Sequence, residues 1–577
     1  MRAASLGAVF VVAKLLVVAG QTLPVSLWTP IVYLWQDAAV AIVYAVLDRP
    51  LRRFPRVGWT AYGLLVVYAA VNVPIARLLS TPLTCPMFAA ARGTLGDSIA
   101  LYMTAPNLLL IISVLAAGAL MPLFFRRLSI RGSYGLAAGA GLLAIAGAWC
   151  AGAVDSRGLH RNAIAAVATT LFPRLPAIRS EADWRRSPVE TAPVTTDLSR
   201  FRGAARGRNV LMIHLESTAA QYLGLHGAGL DPMANLTRIS REAILFEEAY
   251  TVYPESIKSL ASIFHSTWPA LDTAPELYEG LEAPSLAALL SARGYRTGLF
   301  HSGRFRYLGM ESLIRDRGYE TLEDAGAIGG NRQSSFGVDE AATARRLLEW
   351  IDEAPPDRPF FATYLPIAGH HPYGGSEGGP FPAEEEIGRY RNALFEGDRA
   401  LGAIVEGLKS RGLYERTLLV LFGDHGEAFG EHEGNFGHTL FLYEENVHVP
   451  LLFILPGAVP EPSRVPGPVS LIDVGPTVLD LLGLAPVREY QGSSLLAGSP
   501  GLALFFADYS SPLLGLRDGR WKFIHDLESG RSKLFDLEVD PGEREDRAPA
   551  LTAQVRAYRD LLKAWSSSQR ERRLHGR

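Results

Sequence analysis

The chain contains very little cysteine. Its 577 residues include two cysteines, Cys85 and Cys150, and both lie among the first 153 residues. The rest of the chain can form no internal disulfide, so its stability must come from core packing and from any bound metal. A chain of this length is long enough for more than one domain.

The chain also lacks an excess of charge of either sign. Lys and Arg total 56, Asp and Glu total 59, and the formal net charge is -3. A charge balance of this kind gives no large basic surface, so we predict no nucleic-acid partner.

Apolar residues are concentrated at the amino terminus. The first segment is not predicted to be a cleaved signal peptide, because its apolar core is long, Lys14 interrupts it and further segments follow. We therefore predict a five-helix transmembrane domain over residues 1–153, each span having the roughly 20 apolar residues that a bilayer requires. The five segments are residues 4–22, 25–47, 58–80, 99–124 and 133–153.

Arginine is enriched in two loops of this domain. Because basic residues accumulate in cytoplasmic loops, both loops are predicted to face the cytoplasm. With five spans and an inside amino terminus, everything after residue 153 is then predicted to lie outside the cytoplasm. The arginines are Arg49, Arg52, Arg53 and Arg56 after the second segment, and Arg126, Arg127 and Arg131 after the fourth.

A polar joint follows the apolar part. Residues 154–207 are predicted to contain a juxtamembrane helix at 159–172 and then a polar, irregular linker. The basic residues of the joint could lie against lipid headgroups or face solvent, and the pattern favours neither.

Short apolar runs alternate with helical patterns over residues 208–500. "NVLMIHLES", "YRTGLFHS", "PFFATYLPI" and "TLLVLFGDHGE" are strand candidates separated by helices. Such alternation predicts an α/β domain with a mostly parallel sheet flanked by helices. Residues 501–577 are predicted to form a carboxyl-terminal subdomain of short strands with a closing helix. In such sheets, sites form at the carboxyl ends of strands.

Three candidate ligands follow two of these strands. Glu216 ends the first strand, and Asp424 and His425 follow "TLLVLFG". Carboxylate oxygens with an imidazole nitrogen suit a hard or borderline divalent cation such as Mn or Zn. Taken alone, Glu216 could equally be a helix cap or a surface acid, and His214, inside the strand, is more typical of a core residue.

Six stretches in order across residues 209–545 resemble the sulfatase and alkaline-phosphatase superfamily. They are "NVLMIHLEST", "EEAYTVYPESIKSLASIFHS", "LPIAGHHPY", "YRNALFEGDRALGAIVEGLKSRGLYERTLLVLFGDHGE", "NFGHTLFLYEENVHVPLLF" and "LIDVGPTVLDLLG". With its apolar spans, the chain most resembles the membrane-bound lipoteichoic acid synthase and phosphoglycerol transferase group. The resemblance implies an alkaline-phosphatase-like domain on the extracytoplasmic side of a bacterial cell membrane.

The resemblance also implies a metal site and a nucleophile. The metal ligands of the superfamily match Glu216, Asp424 and His425, and its nucleophile, which also contacts the metal, matches Ser256 in "YPESIKSL". The implied cofactor is a divalent metal ion, Mn or Zn. Serine stands where the transferase group usually has threonine, and alkaline phosphatases use serine for the same step.

Further positions match substrate contacts of the group. His370 in "GHHPY" and His438 in "FGHT" match its substrate-binding histidines, with His371 as the alternative to His370. Arg304 in "FHSGRFRY" lies where the group places a substrate contact, although a plain surface arginine fits that position equally well. His432 in "GEHEG" is interpreted as a loop residue.

One departure from the superfamily favours transfer of a phospho group. The CxPSR motif of formylglycine sulfatases is absent, because Lys258 and Leu260 replace its proline and arginine. The resemblance then implies transfer of a phosphoglycerol-type group from a membrane lipid donor, through Ser256, to a glycan or lipid acceptor.

Two alternatives remain open. Residues 515–546 resemble the carboxyl-terminal subdomain of hydrolytic sulfatases, which favours hydrolysis of sulfate or phosphate esters. A membrane-anchored domain that has lost its chemistry is the other alternative. It is disfavoured by the joint presence of Glu216, Ser256, Asp424 and His425.

Overall fold

The structure, a computed structural model, covers most of the chain. It describes residues 1–91, 96–126, 130–172, 183–189, 196–269, 271, 281–334, 336–353, 358–374, 378–459, 463–498 and 501–575. Arg127 and two stretches of the predicted linker, residues 173–182 and 190–195, lie outside the described residues.

The described amino-terminal part is helical. Its helices begin where the sequence supplies a favourable first turn: Pro55 starts one, and the Thr104 side chain accepts a hydrogen bond from the Asn107 amide at the start of another. In chain order the helices are α1 (Arg2–Val18), α2 (Thr29–Leu51), α3 (Pro55–Leu79), α4 (Cys85–Ala91), α5 (Gly96–Leu101), α6 (Ala105–Phe125), α7 (Ile130–Cys150) and α8 (Ala163–Thr170).

Four segments in the described part of the chain are long and apolar enough to cross a membrane. They are Thr29–Leu51, Pro55–Leu79, Ala105–Phe125 and Tyr134–Ala153. The prediction of five spans is wrong at the amino terminus, because α1 has only 17 residues. At 1.5 Å per residue α1 is about 26 Å long, which is short of the roughly 30 Å of a hydrocarbon core. It nevertheless packs against α2, α3 and α6 in the same bundle.

Polar groups inside the bundle hold the segment that follows it. The Lys14 ammonium lies 3.6 Å from the Asp37 carboxylate and donates to the carbonyls of Leu159 (2.9 Å) and Arg161 (2.8 Å). Asn162 caps α8 and also donates to Asp37 at 2.6 Å. The two buried charges are therefore paired and hydrogen-bonded, as groups in such surroundings must be.

The central sheet confirms the α/β prediction. Within the described residues, eight strands pair in the order β10-β2-β9-β6-β1-β5-β3-β4, and only β9 pairs with its neighbours in an antiparallel direction. The strands are β1 (Asn209–Leu215), β2 (Ala243–Tyr250), β3 (Arg296–His301), β4 (Thr321–Glu323), β5 (Phe360–Leu365), β6 (Thr417–Gly423), β7 (Ala428–Phe429), β8 (Phe436–Gly437), β9 (His448–Ile454) and β10 (Ser463–Ser470). The two shortest, β7 and β8, pair with each other.

Both faces of this sheet are buried. Along β1, Val210 and Met212 contribute to one hydrophobic cluster, and Leu211 and Ile213 contribute to the other. Burial on both sides explains why β1 reads as a continuous apolar run. The helices around the sheet are α9 (Ala234–Ile239), α10 (Ser256–His265), α11 (Leu286–Ser291), α12 (Met310–Ile314), α13 (Ala325–Ile328), α14 (Glu340–Asp352), α15 (Glu386–Ser410), α16 (Glu444–Val447) and α17 (Val474–Leu481).

A second, antiparallel sheet forms the carboxyl-terminal part. In the region described after residue 501, its strands are β11 (Leu502–Ala507), β12 (Leu513–Asp518), β13 (Trp521–Asp526) and β14 (Ser532–Asp536). The last helix, α18 (Thr552–His575), packs on this sheet through Tyr558, Leu562 and Trp565.

Arg161 joins the helical bundle to the carboxyl-terminal sheet. Its side chain is fully buried, and its guanidinium donates to the hydroxyls of Ser510 (2.6 Å) and Thr81 (3.3 Å). The same group lies 3.1 Å from the Glu528 carboxylate. Because Ser510 and Glu528 belong to the loops after β11 and β13, one side chain connects two loops to the bundle.

We expect Arg161→Ala to destabilise the detergent-solubilised chain by about 2 to 3 kcal/mol. The substitution removes the cation of a buried ion pair, and such losses are among the larger effects of single mutations. Denaturant titration measures the change. The control is Arg186→Ala, whose side chain is 87% exposed; it should shift stability by less than about 0.5 kcal/mol. Equal unfolding midpoints for both variants would contradict the role assigned to Arg161.

Candidate functional site

Two adjacent strands deliver the central carboxylates. β1 and β6 pair in parallel with Leu215 opposite Gly423, so the residues that follow, Glu216 and Asp424, lie side by side at the carboxyl edge of the sheet. Both are buried, with exposed fractions of 5% and 0%. The structure thus brings together two of the predicted metal ligands, Glu216 and Asp424.

Backbone and imidazole groups surround Asp424. Its Oδ1 accepts from the amides of His425 (2.8 Å) and Ser217 (3.2 Å), and its Oδ2 lies 3.0 Å from His214 Nε2. Burial alone would raise the pKa of Asp424, but the adjacent His214 and His425 bring it below the usual value. Asp424 is therefore held as a carboxylate.

The pKa of Glu216 is shifted in the opposite direction from that of Asp424. Burial, and then repulsion from Asp424, raise the pKa of Glu216 well above its usual value. Two carboxyl groups in a dry site cannot both ionise cheaply unless a positive charge lies between them.

Ser256 lies at the start of α10, directed at the same carboxylates. The Glu255 side chain caps the helix by accepting from the amides of Ile257 and Lys258. Ser256 Oγ donates to both carboxylate oxygens of Glu216 at 3.3 Å and lies 3.2 Å from His425 Nε2. A helix amino terminus also favours negative charge, which suits an anionic substrate.

The donor set fits a divalent cation. Ligand atoms of His214, Glu216 and Asp424 all lie within 4.8 Å of one another. His425 Nε2 lies 3.3 Å from Asp424 Oδ2 and 3.7 Å from Glu216 Oε1. Among the described residues, Asp424 Oδ2 and His214 Nε2 are buried without a well-aligned hydrogen-bond partner. Carboxylates and imidazoles that converge in this way are typical ligands of Mn or Zn.

The sequence interpretation of His214 as a core residue missed its place in this site. His214 is buried, but its Nε2 lies between Asp424 (3.0 Å) and Glu216 (3.6 Å). The available signal was its spacing: residues i and i+2 of a strand point to the same face, so a histidine two positions before Glu216 lies on the same side.

His438 lies beside the metal ligands. Its ring stacks on His425 with centroids 4.1 Å apart, and its Nδ1 lies 2.6 Å from Glu427 Oε2. Tyr373 donates to the other oxygen of Glu427 at 2.8 Å. Burial lowers the pKa of His438 to about 4, so the ring is neutral near pH 7. When Nδ1 carries the proton and donates it in the hydrogen bond to Glu427, Nε2 is left as the acceptor nitrogen. The sequence pattern did not single out Glu427.

We expect Glu427→Gln to lower kcat by about 10- to 100-fold with little change in bound metal. The amide cannot hold the His438 ring as a carboxylate does, and the loss of such an orienting partner has effects of this size. Steady-state kinetics with metal analysis checks the result. Glu406→Gln, with a side chain 62% exposed on α15, is the control. Unchanged kcat in Glu427→Gln would show that His438 needs no orienting carboxylate.

His370 and Arg304 line the same pocket as Ser256. His370 packs on Phe336 with ring centroids 4.1 Å apart, and its ring lies 6.4 Å from that of His438. Arg304 is 41% exposed at the side chain and lies 3.5 Å from the Asp324 carboxylate, so its charge remains close to solvent. The structure thus places His370 and Arg304, two of the three predicted substrate-binding residues, at the pocket.

His432 lies in a separate cluster. Its Nδ1 is 2.7 Å from Glu445 and its ring stacks on Tyr443 at 3.7 Å. Glu445 and Glu543 surround it, and the buried Lys522 lies 3.2 Å from Glu543. The lysine already supplies a positive charge there.

The comparisons with known proteins agree with this geometry. Residues 208–484 match the sulfatase family model. This part of the chain is a sulfatase domain. It carries the pocket of Ser256 and Glu216 and, beside Glu216, the Asp424 carboxylate.

Relatives of the sulfatase domain include lipoteichoic acid synthases and arylsulfatases. The chain is 24% identical over 323 residues to the lipoteichoic acid synthase-like YvgJ of Bacillus subtilis (strain 168), covering 52% of this chain and 52% of that relative. It is 22% identical over 366 residues to lipoteichoic acid synthase 2 of the same organism (59% and 55%). It is 31% identical over 232 residues to arylsulfatase K of Mus musculus (35% and 41%). The chain therefore spans about half the length of the curated relatives it matches.

A solved structure shows the same fold. The lipoteichoic acid synthase LtaP from Listeria monocytogenes superposes with a TM-score of 0.54 and 19% identity, covering 65% of this chain and 95% of that one. The likeness to LtaP shows the fold, and the family match supports an enzyme of the sulfatase superfamily.

Proposed function

We propose that the chain is a membrane-anchored, metal-dependent transferase. It moves a phosphoglycerol-type or related phospho group from a membrane lipid to a glycan or lipid acceptor, through a covalent intermediate on Ser256. The observation that carries the proposal is the position of Ser256 Oγ, 3.3 Å from Glu216 and 3.2 Å from His425 at a helix amino terminus. The absence of CxPSR supports a serine nucleophile over a formylglycine.

In this proposal the cation is held by Glu216, Ser256, Asp424 and His425, and His214 adds a nitrogen ligand missed by the sequence interpretation. When bound, such a cation supplies positive charge that stabilises an ionised nucleophile and the oxygens of a phospho group. It would also relieve the repulsion between the two carboxylates.

The proposed reaction has two balanced steps. In the first, Ser256 Oγ forms a bond to phosphorus while the bond from phosphorus to the lipid oxygen breaks, and diacylglycerol leaves with the serine proton. In the second, an acceptor hydroxyl attacks phosphorus, the bond to Ser256 breaks, and the acceptor proton returns to the serine. Neutral His438 can pass the proton through Nε2 within each step, from the attacking hydroxyl to the departing oxygen. His370 and Arg304 bind the anionic group.

The membrane placement is also a proposal. The four spanning candidates support a membrane anchor. Arginines 49, 52, 53 and 56 lie at the α2–α3 connection, whereas contacts to the sulfatase domain come from the α1–α2 connection, the α3–α6 connection and residues after α7. Basic loops face the cytoplasm, which supports an extracytoplasmic sulfatase domain on a bacterial inner membrane.

Hydrolysis of sulfate or phosphate esters is the second candidate. The arylsulfatase K relatives and the carboxyl-terminal four-stranded sheet support it. The deciding experiment supplies the full chain, in detergent with Mn or Zn, with a chromogenic phosphodiester and the matching sulfate ester in parallel. Turnover of the phosphodiester alone supports the transferase proposal, and turnover of the sulfate ester alone contradicts it.

A further inference from the structure

Two residues of the helical bundle contact residues that lie close to the catalytic pocket. Thr84, at the start of α4, donates from its hydroxyl to the Tyr509 carbonyl at 2.7 Å. Tyr102, between α5 and α6, stacks on His371 with ring centroids 6.0 Å apart and planes inclined by 12°. These contacts come from one connection of the bundle; one reaches the sulfatase domain and the other reaches the loop after β11 in the carboxyl-terminal part.

Both contacted residues adjoin the pocket of Ser256. Tyr509 follows Asp508, which accepts from Lys258 at 2.6 Å in the first turn of α10, the helix that begins at Ser256. On the other side, His371 directly follows His370, which lines the pocket. Burial, followed by the charges of Glu386 and Glu427, raises the pKa of Tyr102 to about 12. His371 also lies beside Tyr373, with ring centroids 5.4 Å apart, and Tyr373 donates to Glu427. Tyr102 is therefore connected through two rings to the carboxylate that orients His438.

The residues beside Tyr102 are apolar and exposed. Ile99, Leu101 and Met103 are 52%, 54% and 61% exposed. The Tyr102 ring thus faces His371, while its neighbours present apolar side chains just before the first residue of α6, a candidate span. Aromatic rings with one apolar and one polar edge are typical of the membrane interface.

Other contacts hold the two domains in this arrangement. Ser80 donates to the Gly434 carbonyl at 3.0 Å, and the Arg157 guanidinium lies 2.6 Å from the Glu433 carboxylate. These contacts join the bundle to the loop between β7 and β8 that precedes His438, and the buried Arg161 joins the bundle to the carboxyl-terminal sheet. The position of Tyr102 relative to the pocket is therefore fixed from several directions.

We infer that the substrate site is shared between the two domains, and that Tyr102 is a specificity-determining residue for a membrane lipid. The headgroup lies in the Ser256 pocket, the Tyr102 ring borders it, and the acyl chains lie along the apolar residues beside Tyr102. This inference rests on the proposed function for the identity of the headgroup, a phosphoglycerol ester. The shared site itself depends only on the contacts above.

The test uses the full chain with vesicles of phosphatidylglycerol in phosphatidylcholine. The first readout is the ratio of kcat/KM for the vesicle lipid to kcat/KM for the soluble chromogenic ester. We expect Tyr102→Ala to lower this ratio about tenfold, mainly through KM, and Tyr102→Phe to keep it. Tyr134→Ala, which removes a tyrosine 70% exposed on α7, is the control and should also keep it. An unchanged ratio in Tyr102→Ala would overturn the inference.

A second readout separates this inference from the proposed function. The same vesicles should inhibit turnover of the soluble ester competitively, whichever ester the enzyme prefers, and Tyr102→Ala should weaken that inhibition about tenfold. If the wild type cleaves only the sulfate ester, the proposed transfer is wrong, but inhibition that depends on Tyr102 still supports the shared site. Absence of inhibition in the wild type, or equal inhibition in Tyr102→Ala, would overturn the shared site.

Discussion

Ser256→Ala is expected to abolish turnover, by a factor of at least about a thousand. The methyl group cannot form the bond to phosphorus, and removal of an enzyme nucleophile commonly has an effect of this size or larger. The variant should fold normally, because Ser256 lies in the first turn of α10 and the cap of that helix is Glu255. Initial rates with the chromogenic phosphodiester measure the loss.

Two further serine variants serve as controls for this result. Ser262→Ala removes a hydroxyl that donates to the Lys258 carbonyl within α10, and it should retain nearly full activity. Ser256→Thr keeps an attacking hydroxyl at the same position, so it should retain a substantial part of the rate. Equal activity in Ser256→Ala and Ser262→Ala would show that Ser256 is not the nucleophile.

Asp424→Asn is expected to weaken metal binding by more than about 100-fold, with a parallel loss of activity. The substitution removes a fully buried charge that lies 3.0 Å from His214 and 3.3 Å from His425. Loss of a partner that merely orients a ligand costs about 10- to 100-fold, so loss of a ligand should cost more. Metal analysis after dialysis and titration calorimetry with Mn or Zn both measure the change.

Chelation gives an independent check on the same site. A metal that binds only the folded state stabilises it, so a chelator should lower the unfolding temperature of the wild type and leave Asp424→Asn nearly unchanged. His432→Asn is the matched control, because His432 belongs to the separate cluster with Glu445. Loss of metal in His432→Asn with full retention in Asp424→Asn would place the metal in that cluster instead.

Local patterns predicted most of the fold. β1, β3, β5 and β6 lie within the predicted strand segments, because strands buried on both faces have continuous apolar sequences. The carboxyl-terminal region was predicted to contain short strands and a closing helix, and the structure has both. The first segment was predicted to run to residue 22, but α1 ends at Val18, just before Gly20 and the polar Gln21.

The parts of the site that escaped prediction depend on long-range contacts. Glu216, Asp424 and His425 could be found because each follows a strand and matches a motif. Glu427 gave no such signal, since its role depends on how the loop folds His438 back against it and on Tyr373, which comes from a different loop. The contacts of Tyr102 likewise join residues almost 270 positions apart. No periodicity within one segment encodes such pairs.

The most direct test of the account is mass spectrometry of the Ser256 peptide after incubation with the lipid donor. The full chain is loaded with Mn or Zn, given phosphatidylglycerol vesicles without an acceptor, and quenched in acid. If Ser256 is the nucleophile, the wild type forms a phosphoglycerol adduct on Ser256, and Ser256→Ala forms none. Turnover of a sulfate ester with no adduct on Ser256 from any phosphodiester would contradict the proposed transfer and assign the chain to hydrolysis.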